Sequence, residues 1–388
     1  MRDSFLPFSK PSISEAAINE VTDSMRSGWL TTGPKLKKFE QMLAEYLHVP
    51  HALCMSSATA GLQLALMALD IQKGDEVITT PMTFAASLNV IEMVGATVKL
   101  VDVERDTYNI DVTKLEAAIT KNTKAIMPVH FAGLPVDLDP IYALAKKYNL
   151  AVLEDAAHAI GAEYKGKKIG SFGDLQVFSF HPNKNMTTGE GGCLSTHSDK
   201  IAEQISLLRF HGMDREAWNR FGKDGSPHYK IIYPGFKYNM MDIQAAIGIH
   251  QLPFLDEFIE KRTALAKRYL EKLKDFEYLT LPKSPDYQHK HAWHLFAPTL
   301  NDKLAKISRD ELMAKLKSMN IGCSVHYEAT HLYPYYANKY GFKLGDFPNA
   351  EAIGKNVISL PLFPDMTISE QDDVLDALEQ IFNTSITN

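Results

Sequence analysis

Phe178-Ser-Phe-His-Pro-Asn-Lys-Asn-Met-Thr-Thr-Gly-Glu-Gly-Gly192 reads as the end of a buried strand running into a polar turn. Lys184 stands in that turn between Asn183 and Asn185, and Gly189, Gly191 and Gly192 follow it. A lysine behind a hydrophobic strand and ahead of a Gly-rich turn can be held against a pocket with little freedom. Desolvation lowers a lysine pKa, and a neutral amine is a nucleophile toward carbonyl carbon. The glycines let the backbone turn with φ > 0 and approach a bound group closely. Taken alone, such a lysine is more commonly a solvated turn residue. The rest of the chain has to decide.

Upstream the pattern alternates. Strands are expected over Glu76–Thr79, Thr97–Val101, Thr123–Val129 and Leu150–Leu153, with helices over Ala85–Val94, Val112–Thr120 and Leu138–Tyr148 between them. Short apolar runs separated by helices predict an α/β fold, a mostly parallel sheet covered on both faces. In such sheets ligands sit at the carboxyl ends of the strands. Phe84, His130, Glu154, Asp155, His158 and Lys184 all fall there. A GxGxxG between the first strand and helix is absent, which counts against a dinucleotide-binding dehydrogenase. Further upstream, Cys54-Met-Ser-Ser-Ala-Thr-Ala-Gly61 places small polar residues at the start of an apolar helix. Helix N-termini attract anions, although ordinary Ser/Thr capping gives the same pattern. Asp155 likewise has two readings. It is a strand-end carboxylate capping a turn, or the acidic partner that keeps a pyridine nitrogen protonated.

The arm before this region holds a helix capped by Ser12 or Ser14 and ended by Gly28, then a helix Lys35–Leu47 with Leu36, Phe39, Met42, Leu43 and Tyr46 on one face. Downstream, a helix spans Ile201–Phe210, and residues 213–234 read as a long loop. Ile243–Leu252 is apolar nearly all round and so is buried, with a subunit interface as its expected place. From about residue 270 a smaller α+β part follows. Its expected strands are His291–Phe296 and Ile321–His326, its helices Ser308–Met319 and Ser369–Phe382. The expected division is a large domain with the N-terminal arm, residues 1–255, and a smaller C-terminal domain, residues 256–388.

The whole-chain properties narrow the function. At 388 residues the chain exceeds one ordinary core. A net charge of −6 without a long basic run leaves no electrostatic footprint for nucleic acid. No stretch approaches the ~18 apolar residues needed to cross a membrane. Three scattered cysteines and no apolar leader fit a cytoplasmic protein. His291, His294, His326 and His331 lack partners at metal-ligand spacing, so no metal is expected. His326 and His331 read as substrate-facing groups or packed imidazoles.

Six motifs in order carry a resemblance: Ser56-Ser-Ala-Thr-Ala-Gly61, Glu154-Asp-Ala-Ala-His158, Phe178-Ser-Phe-His-Pro-Asn-Lys184, Thr188-Gly-Glu-Gly-Gly192, Phe210-His-Gly212 and Tyr238-Asn-Met-Met-Asp242. Together they resemble the DegT/DnrJ/EryC1/StrS family, fold-type I aminotransferases that use pyridoxal 5′-phosphate (PLP) and act on nucleotide-linked keto-sugars. The resemblance implies that Lys184 bonds the cofactor and shuttles protons, and that Asp155 partners the pyridine nitrogen. It implies that His158 lies near the phenolic oxygen and Phe84 stacks on the ring. Ala58, Thr59 and Ser179 become phosphate ligands, and Asn239 a phosphate ligand supplied by the second subunit of a homodimer. Phe5-Leu-Pro-Phe-Ser9, Gly28-Trp-Leu-Thr-Thr-Gly-Pro34, Pro128-Val-His-Phe-Ala-Gly133 and Leu360-Pro-Leu-Phe-Pro-Asp-Met366 look most like enzymes that aminate C4 of UDP-linked 4-keto sugars for surface glycans. L-Glutamate is the implied donor. An N-acetylated 6-deoxyhexose is expected ahead of a pentose, and a PLP-binding sensor is the non-enzymatic alternative.

Overall fold

The structure, a computed structural model, describes residues 2–214 and 228–385. Most of the loop expected over 213–234 therefore lies outside the described residues. Nine strands precede residue 200: β1 (His51–Met55), β2 (Glu76–Thr79), β3 (Thr97–Leu100), β4 (Thr123–Ile126), β5 (Ala151–Asp155), β6 (Glu163–Tyr164), β7 (Lys167–Lys168), β8 (Leu175–Ser179) and β9 (Gly192–Thr196). Seven of them form the central sheet, in the order β1-β9-β8-β5-β4-β2-β3. Neighbours from β8 through to β3 are parallel, and β9 alone runs antiparallel to the strands on either side of it. Alternate residues supply two cores. Val152 and Phe178 pack on one face with Phe39 and Ile126, while Leu153 and Val177 pack on the other with Leu62 and Val77. Burial on both faces is why these strands read as continuous apolar runs.

The helices follow local signals. Ser14 caps Glu15–Ser27 by accepting the Ala17 N–H, and Gly28 at φ 74° ends it. Residues 112–120 depart from expectation. They form a 3₁₀ turn, Val112–Lys114, and one α-turn, Leu115–Ala118. Leu115 is the only buried residue of the pair, so no apolar stripe sustains a longer helix.

The C-terminal part also differs in detail. His291–Phe296 and Ile321–His326 make isolated bridges, Phe296 with Leu360 and Ser324 with Ser359, rather than ladders. Trp293 has φ 47°, which breaks the extended run. The N–H groups of Ala292 and His294 bond the carbonyls of Gly133 and Ala132 in the large sheet domain instead of a neighbouring strand. The helix Arg309–Ser318 carries a capping box from Ser308 and Glu311, and the closing helix is Ile368–Ser385. A third core joins Leu265, Tyr269, Phe296, Leu312, Leu360, Val374 and Phe382 with Leu6 of the N-terminal arm. Leu6 is laced in on both sides, its N–H to Asn320 O and its carbonyl to the Gly322 N–H. Among the described residues no helix is long and apolar enough to cross a membrane.

Candidate active site

A cavity of about 320 Å³ opens where the carboxyl ends of β5 and β8 meet the start of the helix Ala58–Ala68. The segment His326–Tyr327 from the C-terminal part completes it. Lys184 enters from the turn after β8. That turn is closed by Lys184 N–H to His181 O and Thr188 N–H to Phe180 O, and Asn185 ties it to Ala292 O at 2.6 Å. Burial lowers the Lys184 pKa to about 8, against the opposing pull of Asp155. The Nζ lies 3.4 Å from His294 Nε2.

Asp155 ends β5 and is 5% exposed. Its Oδ2 accepts the Ser87 hydroxyl at 2.7 Å and its Oδ1 the Ala157 N–H at 3.2 Å. Burial raises its pKa, while those two donors and Lys184 pull it back down. The adjacent Glu154 faces the other side of the pleat. There it accepts from His130 Nε2, Tyr142 Oη and Gln176 Nε2, so neither His130 nor Glu154 reaches the cavity.

Opposite Asp155, Ser57 caps the helix by accepting the Ala60 N–H. First-turn N–H groups have no intrahelical acceptor, and here Ala58 and Thr59 line the cavity with Ser57 and Ser179. Gly192 permits this approach, because a Cβ there would stand 2.5 Å from Ala58 N. Phe84, an exposed residue, precedes the helix Ala85–Met93 and also lines the cavity. His158 takes the Ala132 N–H on Nδ1 and meets Tyr327 Oη through Nε2 at 3.1 Å. His326 lines the cavity with Nδ1 held by Ser359 Oγ at 2.8 Å. Burial keeps both imidazoles neutral, His326 at about 3.

One expected site residue, His331, is not brought there, and Asn239, expected from the second subunit, lies outside its own chain's cavity. His331 is fully buried, its Nε2 on Glu351 at 3.0 Å and its ring among Phe342 and Phe347. Of the two readings open for it, substrate-facing group or packed imidazole, this is the packed imidazole, with a carboxylate partner. The Asn239 amide donates to Thr32 Oγ1 at 2.6 Å and accepts from Lys237 Nζ at 2.5 Å.

The donor set suits PLP. It offers an amine for the aldehyde, a buried carboxylate for the ring nitrogen, and a helix start for the phosphate. The sequence profile of the DegT/DnrJ/EryC1/StrS aminotransferase family matches residues 11–379. The chain belongs to that family.

Relatives agree in sequence and in shape. The spore coat polysaccharide biosynthesis protein SpsC of Bacillus subtilis is 45% identical over 381 residues, 98% of each chain. Spr1654 of Streptococcus pneumoniae, a candidate sugar aminotransferase, superposes in its PMP-form with a TM-score of 0.89 at 34% identity, over 98% of this chain and 99% of that one. It has also been solved in a PLP-form. Helicobacter pylori PseC, an aminotransferase involved in the biosynthesis of pseudoaminic acid, gives 0.90 at 30% identity, over 98% of this chain and 100% of that one. The present chain is accordingly a fold-type I, PLP-dependent sugar-nucleotide aminotransferase of amino-sugar biosynthesis.

Sequence reading missed three side chains of this aminotransferase's site. Ser87 lies one turn beyond Phe84, and it is the one hydroxyl on the helix Ala85–Met93. Tyr327 follows His326 directly. His294 has Nδ1 buried and without a partner among the described residues, and nothing in its neighbourhood of the sequence pointed to Lys184.

Proposed function

We propose that this aminotransferase moves the amino group of L-glutamate to C4 of a UDP-linked 4-keto sugar, with UDP-2-acetamido-2,6-dideoxy-4-hexulose ahead of a UDP-4-keto-pentose, for a surface glycan. The observation that carries the transamination is Lys184, its pKa brought to about 8 in the cavity that Asp155 also lines. The family motifs and the likeness to PseC support the C4 assignment.

When bound, PLP supplies an electrophilic carbonyl and a ring that takes up electron density. Lys184 would hold the cofactor through that carbonyl, and its amine would take the α-proton of glutamate as a general base and return one to the sugar carbon. An amine with a pKa near 8 suits both tasks close to neutrality. Asp155 holds the proton on the pyridine nitrogen, oriented by Ser87 and the Ala157 N–H. Phe84 covers one face of the ring. Ala58, Thr59 and Ser179 bind the phosphate, His158 stands on the phenolic side, and His326 faces the sugar.

The active unit in this reading is a cytoplasmic homodimer. Each site takes Asn239 from the partner chain, which agrees with that side chain's absence from its own cavity. Exposed Ile13, Ile18 and Met25 on and beside the helix Glu15–Ser27 supply apolar surface for the contact. Residues 1–255 then form the PLP-binding unit and residues 256–388 the smaller one.

The test is a mass-spectrometric screen of UDP-, dTDP- and GDP-linked 4-keto sugars with L-glutamate and PLP. The expected product is a UDP-sugar carrying a new amine at C4. Amination confined to dTDP- or GDP-sugars, or to a free inositol ketone, would overturn the substrate assignment and leave the transamination standing.

A further inference from the structure

Three groups are wired in series at the rim of the cavity, and the direction of each hydrogen bond is fixed. A backbone N–H can only donate, so at 3.2 Å from Ala132 N the His158 Nδ1 must accept. A neutral imidazole that accepts on Nδ1 carries its proton on Nε2. That proton is directed at Tyr327 Oη, 3.1 Å away. The Tyr327 oxygen therefore receives a hydrogen bond, and its own hydrogen has to point elsewhere. His158 is the hydroxyl's one hydrogen-bond partner among the described residues. The space beyond is the cavity, which Tyr327 lines together with Lys184 and Asp155.

The ring is held as well as the hydroxyl. Tyr327 stacks on His158 at 24° with centroids 6.0 Å apart, meets Phe131 edge-on at 6.4 Å and faces Phe84 at 6.0 Å. Burial raises the phenol's pKa, so the group stays protonated and remains a donor.

We propose that Tyr327 is the hydrogen-bond donor that fixes an oxygen acceptor inside the cavity, and that His158 is the positioning residue that aims it. This rests on the reading of the cavity as the PLP and sugar site. It reassigns the donor on the phenolic side, because the single N–H of His158 is committed to Tyr327 and is not free for the cofactor. The acceptor is an oxygen lone pair from one of two sources, the phenolic oxygen of PLP or a hydroxyl or carbonyl oxygen of the sugar.

Tyr327→Phe keeps the ring and removes only the hydroxyl, and three measurements on the full chain separate the outcomes. PLP affinity is measured by equilibrium dialysis, the ratio of the absorption bands of bound PLP at one fixed pH by spectrophotometry, and KM for whichever keto-sugar the screen identifies by turnover. With the cofactor as acceptor, Tyr327→Phe changes the band ratio and weakens PLP about tenfold. With the sugar as acceptor, both PLP measurements stay at wild-type values and KM rises about tenfold. His158→Gln, whose amide both accepts and donates, should retain most of the wild-type behaviour, whereas His158→Phe should match Tyr327→Phe.

The proposal is overturned if Tyr327→Phe leaves all three quantities unchanged. It is overturned equally if His158→Phe changes the band ratio while Tyr327→Phe does not, since His158 would then be donating directly. Failure of the wild-type protein to bind PLP would instead remove the reading of the site on which the proposal stands.

Discussion

Burial pushes Lys184 and Asp155 in opposite directions, the amine down and the carboxyl up, and each partly restrains the other. The stability consequence of Lys184 has a definite sign. Its folded pKa of about 8 lies below its ordinary 10.5, so between those values the unfolded chain binds more protons and stability rises with pH. Below the lower value the buried ammonium costs stability in full. In cofactor-free protein Lys184→Met should therefore melt higher than wild type at pH 7. The gap should narrow as pH rises through about 8 toward 10.5, and differential scanning calorimetry across that range checks it. A gap that widens with pH would mean that Lys184 is not desolvated. For Asp155→Asn the expected outcome is a turnover loss of at least ~10²-fold with PLP still bound, the scale for removing a positioned charge. Near-normal turnover would remove Asp155 from its proposed role. These two residues were legible because one ends a buried strand and the other lies in the turn that follows one, at the edge where α/β sheets bind ligands. Ser87 and Tyr327 were not, since their position depends on how a helix and a distant segment pack. His331 looked equally polar in the sequence, and only packing shows that Glu351 already occupies its Nε2.

Among the elements, the start of the helix Ala58–Ala68 is placed by a glycine in another strand. Any side chain at residue 192 meets the backbone of Ser57 and Ala58, neither of which yields easily. Gly192→Ala should push the two apart and weaken PLP roughly 10- to 100-fold, the range for overpacking a fixed contact. Pyridoxal, which lacks the phosphate, should lose much less, and titration with both compounds distinguishes them. Equal losses would place the phosphate elsewhere. The presence of Gly189, Gly191 and Gly192 was plain from the sequence, but what each lies against was not. The same holds for Asp242. It ends a recognisable motif, yet its carboxylate caps the helix Pro34–Leu47 by accepting the N–H groups of Lys35 and Leu36. The expected strand over residues 291–296 failed for a related reason. Residues 292–296 are buried in succession, and the N–H groups of Ala292 and His294 bond the turn at Gly133 and Ala132, which periodicity cannot reveal.

At the scale of the whole molecule, the shared-site proposal predicts complementation between two defective chains. Lys184→Ala removes the amine, and Asn239→Asp sets a carboxylate against the partner's phosphate site. In a mixed dimer one site carries both defects and the other none. Random exchange makes about half the dimers mixed, so about a quarter of wild-type activity should return. Exchange confirmed by mass spectrometry with no recovered activity would show that Asn239 does not act across the dimer. The two-core sheet domain was legible because its strands and helices alternate locally. The way the arm closes on the C-terminal part was not, because Leu6 bonds Asn320 and Gly322 across nearly the full length of the chain. That lacing sets a schedule for biosynthesis. Leu6 leaves the ribosome long before residues 320–322 exist, and loop closure over such a separation yields no contact until its far end arrives. The central sheet has all its strands by Thr196 and one of its cores is completed by Ala245, Ile249, Leu252 and Leu255, whereas the third core waits for the closing helix. A nascent chain halted before residue 320 should leave the arm open to protease, and one released after residue 385 should protect it.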